Sequence, residues 1–277
     1  MIAIEDISDD HLHTTVSDGD LDPDEVLRYL APRARGPISI TDHDTLGVHK
    51  RPETVALARQ LSVELVPGIE MDADFDGIEM HVLGFNVDVR NGPLNVFLDE
   101  IAAARRQRAR EELAIVNGLL GEGTFREGDI FKPGRETLMK PHFIKPLLAK
   151  GLFPEYRAAM KWYKANVKPA TVPRKPPFAE VAALLAEPER SLSSPHPGYY
   201  IEDHGLPIES ALARMKADGL GGVEVDYPYH ERSRNLFSPE SATAMVEKVR
   251  AATTSAGLRS TRGTDCHSVE DYRESYP

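Results

Sequence analysis

Nine histidine, aspartate and glutamate residues stand in short polar motifs spread over nearly the whole chain. They are His11, His13, Asp18, His43, Glu70, His81, His196, Asp265 and His267. Imidazole nitrogens and carboxylate oxygens are the atoms with which proteins bind zinc and other divalent transition metals. The set is too large for one catalytic triad. We therefore predict a cluster of two or three divalent metal ions and a metal-dependent hydrolase.

The first motif places two imidazoles two residues apart, where a first strand is expected to end. On a strand, His11 and His13 would project to the same face and could reach one ion. Alone, this spacing is equally compatible with chance or with core histidines. The turn Ser17-Asp18-Gly19 follows closely and returns a carboxylate to the same rim, which favours metal binding.

Two further motifs directly follow apolar strands, where α/β enzymes place their sites. His43 is the expected ligand of the first, Thr41-Asp42-His43-Asp44. Asp42 or Asp44 could orient its imidazole, although helix capping is the preferred interpretation of Asp44. Glu70 belongs to the second motif. As a bridging carboxylate it could hold two ions, one on each oxygen.

The remaining donors lie on or beside later strands. His81 has apolar neighbours, so a buried structural histidine is an alternative, whereas His196 is held rigidly between two prolines. Asp265 and His267 are again two residues apart. Cys266 lies between them and should point away from the site as a small buried hydrophobic residue.

Alternation of strands and helices before residue 93 and after residue 188 predicts an α/β architecture with parallel strand pairing. The intervening stretch is predicted to be a helical insertion over one end of the barrel or sheet. The predicted domains are thus 1–92 with 189–277, and 93–188. Predicted helices are 23–30, 54–61, 94–120, 142–149, 155–164, 178–186, 208–218 and 239–256; predicted strands are 37–41, 63–66, 78–85 and 222–225, with others near Ser191 and Arg259.

Composition limits the classes of partner. The 277 residues carry a net charge of −11, which argues against binding long nucleic acid and favours a small anionic substrate at a metal site. We find no apolar run long enough for a bilayer and no signal-peptide pattern at the start, so we expect no membrane partner. The single cysteine excludes an internal disulfide, and we expect a cytoplasmic protein.

Several basic residues could contact the anionic groups of a substrate. They are Lys140, His142, Arg174, His230 and Arg232, although each alone is more often a solvated charge. The run Arg105 to Arg110 is interpreted as a solvated helix face. His49 and His204 have no supporting motif and are expected at the surface.

In this order the motifs resemble those of the PHP (polymerase and histidinol phosphatase) family, in particular the phosphoesterases that act on nucleoside monophosphates and 3′,5′-bisphosphates. Lys140-Pro141-His142 and Val172-Pro173-Arg174 match two elements of the insertion in that subgroup. The resemblance implies a distorted (β/α)7 barrel with a helical insertion and a trinuclear site. The implied ligand groups are His11, His13, Glu70 and Asp265; Glu70, His81 and His196; and Asp18, His43 and His267.

The implied activity is hydrolysis of a phosphate monoester by metal-bound hydroxide, with Mn²⁺, Fe²⁺ or Zn²⁺ as cofactor and a nucleotide as expected substrate. His142 or His230 would bind the phosphate or protonate the leaving oxygen. Lys140 replaces the usual Arg, so a point charge replaces bidentate phosphate recognition. Alternatives are a histidinol phosphate phosphatase, a 5′-3′ exonuclease acting on short oligonucleotides, and a non-catalytic scaffold.

Overall fold

A curled, half-barrel sheet of six strands forms the centre of the computed structural model, which describes residues 1–185 and 192–277. The strands are adjacent in the order in which they occur in the chain. They are β1 (Ile38–Ile40), β2 (Leu65–Phe75), β3 (Ile78–Phe85), β4 (Leu192–Ser194), β5 (Gly222–Asp226) and β6 (Arg259–Arg262). Helices flank this sheet, so the predicted α/β class is confirmed.

Strand pairing is mixed, and the prediction of parallel pairing is wrong for the middle of the sheet. β1–β2, β4–β5 and β5–β6 are parallel, whereas β2–β3 and β3–β4 are antiparallel. The reason is the two-residue turn Asp76-Gly77, whose φ angles of 56° and 80° suit a tight hairpin. Such a turn can join only antiparallel strands. The Asp-Gly pair was the sequence signal for it.

Residues 8–13 do not form the regular first strand that was expected. After a short 3₁₀ helix (Ile4–Asp6), the chain makes single parallel bridges from Asp9 to Ile38 and from Leu12 to Cys266. The segment therefore lies between β1 and the chain that follows β6. Backbone hydrogen bonds on both sides hold His11 and His13 in place; for example, the Asp265 amide donates to the His11 carbonyl at 2.8 Å.

The eight predicted helices are present with similar bounds, and the described residues contain five further helices that were not predicted, Gly47–Lys50, Glu127–Ile130, Pro197–His204, Tyr229–Arg232 and Val269–Ser275. In chain order the helices are α1 (Pro23–Leu30), α2 (Gly47–Lys50), α3 (Pro52–Gln60), α4 (Gly92–Leu120), α5 (Glu127–Ile130), α6 (Pro141–Ala149), α7 (Tyr156–Asn166), α8 (Phe178–Leu184), α9 (Pro197–His204), α10 (Ile208–Ala217), α11 (Tyr229–Arg232), α12 (Pro239–Ala256) and α13 (Val269–Ser275). The predicted strand near Ser191 is confirmed as β4, whereas the predicted helix end at Ala186 lies outside the described residues.

The region between β3 and α8 has a hydrophobic core of its own. Val116 of α4, Phe143 of α6 and Tyr163 of α7 are buried together in it. Such a local core is compatible with an inserted unit, and the division at residues 93 and 188 stays a prediction. Over the described ranges, none of the helices combines the length and apolarity needed to cross a membrane.

Candidate metal centre

Glu70 on β2 lies at the middle of a ring of imidazoles. Its Oε2 is 3.1 Å from His11 Nε2, 3.2 Å from His13 Nε2 and 3.2 Å from His43 Nδ1. Its Oε1 is 2.7 Å from His81 Nδ1 and 3.4 Å from His196 Nε2. The side chain of Glu70 is buried. One carboxylate thus faces five histidines from distant parts of the chain.

Two further carboxylates extend the cluster. Asp265 Oδ1 is 3.3 Å from His11 Nε2 and 3.2 Å from His13 Nε2. Asp18 Oδ1 is 3.2 Å from His267 Nε2. The structure therefore brings all nine predicted metal-binding side chains to one place.

The spatial groups differ in part from those that the resemblance implies. Each group offers ligand atoms that all lie within 4.8 Å of one another. His13 is shared between two groups, His43 joins Glu70 and His81, and His196 joins His11 and Asp265. The four groups are His13, Asp18, His43 and His267; His11, His13 and Glu70; His11, His196 and Asp265; and His43, Glu70 and His81.

Two of the donors have backbones in the left-handed region. His196 precedes α9 with φ 34°, and Asp265 follows β6 with φ 51°. Residues other than glycine rarely adopt this conformation, and such strain tends to occur at functional sites. The surrounding hydrogen bonds therefore hold these side chains in positions that a relaxed backbone would not give.

Unpaired polar atoms in the cluster indicate whether its side chains could bind cations. Among the described residues, several buried atoms have no hydrogen-bond partner: His11 Nε2, both ring nitrogens of His13, His43 Nδ1, Glu70 Oε2, His81 Nδ1 and His196 Nδ1. Buried polar atoms are rarely left unpaired. A mixed nitrogen and oxygen donor set with free lone pairs is what a divalent transition metal binds. The residues present thus fit divalent metal ions.

The electrostatics of the site follow from this crowding. Burial alone would raise the pKa of the Glu70 carboxyl, but His43, His11 and His81 together hold it well below its usual range. Burial lowers the pKa of His43 to about 3. Glu70 and His43 are thus in the protonation states that bind metal.

Burial alone would lower the pKa of His81 and of His267, but nearby carboxylates raise both. Glu70 raises the pKa of His81 to about 9. Asp18 raises the pKa of His267 to about 10. Metal binding at these two rings must therefore displace protons.

The two aspartates beside His43 have roles other than those predicted. Asp42 accepts hydrogen bonds from the Thr14 amide at 2.8 Å and the Ser17 hydroxyl at 2.5 Å, so it fixes the loop that carries Asp18. Asp44 does not cap a helix. It has φ 48° and accepts a hydrogen bond from the Asp72 amide at 3.2 Å.

The prediction of a solvated helix face is wrong for Arg105. Its guanidinium is buried and pairs with Asp44 and, at 2.8 Å, with Asp72. Asp72 Oδ1 in turn lies 3.4 Å from His81 Nε2. Arg105 of α4 therefore connects the helical region to carboxylates next to two metal-binding candidates, His43 and His81.

We expect Arg105→Met to lower the free energy of unfolding by about 3 kcal/mol, because it leaves the buried Asp44 carboxylate and the partly buried Asp72 carboxylate without their cation. Urea denaturation followed by circular dichroism measures this. Arg110→Met on the exposed side of the same helix is the matched control, with an expected change within about 0.5 kcal/mol. Equal, small changes in the two variants would contradict the buried ion-pair role.

His49 is buried, and its predicted surface position is also wrong. Its Nε2 lies 2.7 Å from the Ile40 carbonyl and 3.1 Å from the Gly68 amide, so it links β1 to β2. His204 is exposed, and Cys266 is fully buried within an apolar cluster, both as predicted.

The predicted substrate contacts differ in their surroundings. His142 uses both ring nitrogens on backbone atoms, with Nε2 3.0 Å from the Ser17 carbonyl, and burial lowers its pKa to about 3. Arg232 donates to the Thr264 carbonyl at 2.6 Å and to Ser275 at 2.7 Å. His230 Nδ1 is 2.8 Å from the Phe237 carbonyl, and Arg174 is exposed and paired with Glu180. Their contact with substrate stays a prediction.

Two cavities open beside the cluster. One of about 220 Å³ is lined by His81 and Asp72 together with Lys140 and Lys164. The other, of about 500 Å³, is lined by Asp18 with Arg135, Lys145 and other cations. Cationic linings next to metal donors would attract an anionic ligand.

Sequence reasoning missed Arg105, Asp72 and Glu224. Glu224 is fully buried, and its Oε1 lies 3.1 Å from His11 Nδ1. Its signal was a charge within the apolar strand Gly222 to Val225. The roles of Asp72 and Arg105 depend on contacts between separate elements.

No family model matches the chain. It is 27% identical over 216 residues to a 3′,5′-nucleoside bisphosphate phosphatase of Chromobacterium violaceum; this alignment covers 78% of this chain and 75% of that protein. It is 28% identical over 230 residues to the 5′-3′ exoribonuclease Rnm of Escherichia coli, which covers 76% of each.

Among solved structures, a candidate metal-dependent phosphoesterase from Bifidobacterium adolescentis superposes with a TM-score of 0.75 over 96% of this chain and 94% of that one. Its sequence identity is 23%, so this likeness shows the fold alone.

Proposed function

We propose that the chain is a member of the PHP family of metal-dependent phosphoesterases and a phosphatase that hydrolyses a phosphate monoester of a nucleotide. The observation that carries the proposal is Glu70, whose two oxygens meet five imidazoles within 3.4 Å. The similarity to a nucleoside bisphosphate phosphatase supports the nucleotide as substrate.

Two or three ions of Mn²⁺, Fe²⁺ or Zn²⁺ would be held by the nine clustered donors. When bound, they supply Lewis acidity, which lowers the pKa of water and neutralises phosphoryl oxygens. The ligands proposed are His11, His13, Asp18, His43, Glu70, His81, His196, Asp265 and His267.

Other residues of the chain would orient the metal-binding side chains, bind the substrate phosphate and donate a proton. Tyr227 donates a hydrogen bond to Asp265 Oδ2 at 2.7 Å, which leaves Oδ1 facing His11 and His13. Lys140, at the cavity beside His81, would attract the substrate phosphate as a point charge. We favour His230 over His142 as proton donor to the leaving oxygen, because both ring nitrogens of His142 are bonded to backbone.

A substrate panel tests the proposal. Phosphate release is measured for a nucleoside 3′,5′-bisphosphate, a nucleoside 5′-monophosphate and histidinol phosphate, each with Mn²⁺ or Zn²⁺. We expect the highest kcat/KM with a nucleotide. Preferred turnover of histidinol phosphate, or no phosphate release from any of them, would contradict it.

A second candidate, 5′-3′ exonuclease action on short oligonucleotides, is favoured by a cleft of about 920 Å³. Arg157, Lys161 and Lys164 of α7 line one side, and Arg234 lies on the other. Lys164 also lines the cavity beside His81, so this basic surface extends from the metal centre. Release of mononucleotides from a 5′-phosphorylated trinucleotide, resolved by mass spectrometry, would identify this activity.

The finer architecture is part of the same proposal. Residues 8–13 would take the place of a seventh strand in a distorted (β/α)7 barrel, because they bond to the chain at both edges of the sheet. Residues 93–188 would be the insertion that covers the centre. Arg105 and the Lys140 region, which lie near the donors, support this placement.

A further inference from the structure

Glu224 is a buried carboxylate in the middle of β5, between the apolar residues Val223 and Val225. Its Oε1 lies 3.1 Å from His11 Nδ1, and its Oε2 accepts a hydrogen bond from the His196 amide at 2.7 Å. A buried carboxylate is costly unless hydrogen bonds satisfy it. Both of its oxygens are used, and each contact is to a metal-binding candidate.

The contact with His11 determines which ring nitrogen is free. Nδ1 faces Glu224, whereas Nε2 faces Glu70 at 3.1 Å and Asp265 at 3.3 Å. A metal ion binds a ring nitrogen through its lone pair, so an ion in the cluster requires Nε2 of His11 to be unprotonated. The ring proton is then on Nδ1, where Glu224 accepts its hydrogen bond. The lone pair is then on Nε2, directed toward the cluster. A partner on the remote nitrogen orients a ligand in this way at many metal sites.

The contact with His196 is to its backbone. This residue is the left-handed position before α9, and Glu224 holds its N–H. The imidazole of His196 belongs to the same group of candidate ligands as His11 and Asp265. One carboxylate thus holds two donors that lie 185 positions apart, at residues 11 and 196.

Gly263 makes this close approach possible. A Cβ at this position would lie 2.1 Å from Glu224 Oε1 and 2.3 Å from His11 Cβ. Any other residue would push the carboxylate or the imidazole away. The contact between Glu224 and His11 therefore requires glycine at position 263.

We propose that Glu224 is a positioning residue of the metal centre. It selects the Nδ1–H tautomer of His11 and anchors the His196 backbone, so that both imidazoles can bind the same ion. This rests on the proposed function, because it requires that the centre binds metal. Glu224 itself does not contact the substrate in this role.

The variant Glu224→Gln tests it sharply, because His11 and the His196 amide each contact a different oxygen of Glu224. Gln replaces one of these oxygens with an NH₂ group that can only donate. The His196 amide cannot change, so the Gln oxygen stays there and the NH₂ turns to His11. Nδ1 must then accept, and the proton moves to Nε2, where it blocks metal binding. We expect the affinity for Zn²⁺, measured against a chromophoric chelator, to fall about 10- to 100-fold at one site.

Long-range ¹H–¹⁵N NMR of the Zn²⁺-loaded wild-type protein reads the tautomer directly and needs no variant. We expect an Nδ1–H ring for His11; an Nε2–H ring would overturn the proposal, even if Glu224→Gln failed to fold. Glu64→Gln, at an exposed position just before β2, is the matched control and should bind Zn²⁺ as the wild type does.

A double variant separates positioning from general destabilisation. In a His11→Ala background, Glu224→Gln should change Zn²⁺ affinity by less than about twofold, since the ring it orients is gone. The inference would be overturned if Glu224→Gln lowered Zn²⁺ affinity as much in the His11→Ala background as in the wild type. Unchanged Zn²⁺ affinity in the single variant would also overturn it. Failure of the wild type to bind Zn²⁺, Mn²⁺ or Fe²⁺ at all would instead contradict the proposed function.

Discussion

Replacing Glu70 by Gln is expected to lower kcat/KM for the preferred nucleotide by at least about 10³-fold, equivalent to about 4 kcal/mol of transition-state stabilisation. Glu70 is the only one of the clustered carboxylates that meets five imidazoles, and Gln removes its charge while keeping its shape. Phosphate release measures the loss of activity, and mass spectrometry measures the number of metal ions bound per chain. We expect the variant to retain fewer ions per chain.

The control is Glu64→Gln, the same chemical change at an exposed position preceding the same strand. It should keep both activity and metal content. A Glu70→Gln protein that is folded and still hydrolyses the nucleotide at the wild-type rate would show that the centre of the cluster is not the reaction site.

Removal of metal by a chelator is expected to abolish phosphate release and to lower the melting temperature by about 10 °C for each ion removed. Ions at about 1,000 times their dissociation constant stabilise the folded state by about 4 kcal/mol per site, and a domain of this size shifts a few degrees per kcal/mol. The physical reason is the set of buried, unpaired nitrogen and oxygen atoms, which lose their partner. Differential scanning calorimetry before and after dialysis measures the shift.

Chelator already saturated with Mn²⁺ controls for effects of the chelator itself, and restored activity on adding Mn²⁺, Fe²⁺ or Zn²⁺ would identify competent ions. Glu70→Gln should show a smaller shift than the wild type, because its sites are already weakened. Full activity and an unchanged melting temperature after chelation would contradict metal dependence.

Much of the centre was predictable because a metal donor is recognised by its chemistry. His11, His43 and Asp265 each carry a lone pair in a polar motif beside a strand. Helices were also predictable, because periodicity and caps are local signals. At the start of α1, for example, the Asp22 side chain accepts a hydrogen bond from the Asp24 amide. The mixed sheet was not inferred, although Asp76-Gly77 was a local signal for the hairpin.

The amino-acid sequence by itself determined the inventory of donors and therefore the class of chemistry. Only the tertiary structure decided which donors share an ion, that Arg105 is buried against Asp44 and Asp72, and that Glu224 meets His11 across 213 positions of the chain. Ligand type belongs to one residue, whereas tautomer, ion pairing and shared coordination depend on distances between residues that the chain brings together only when it folds.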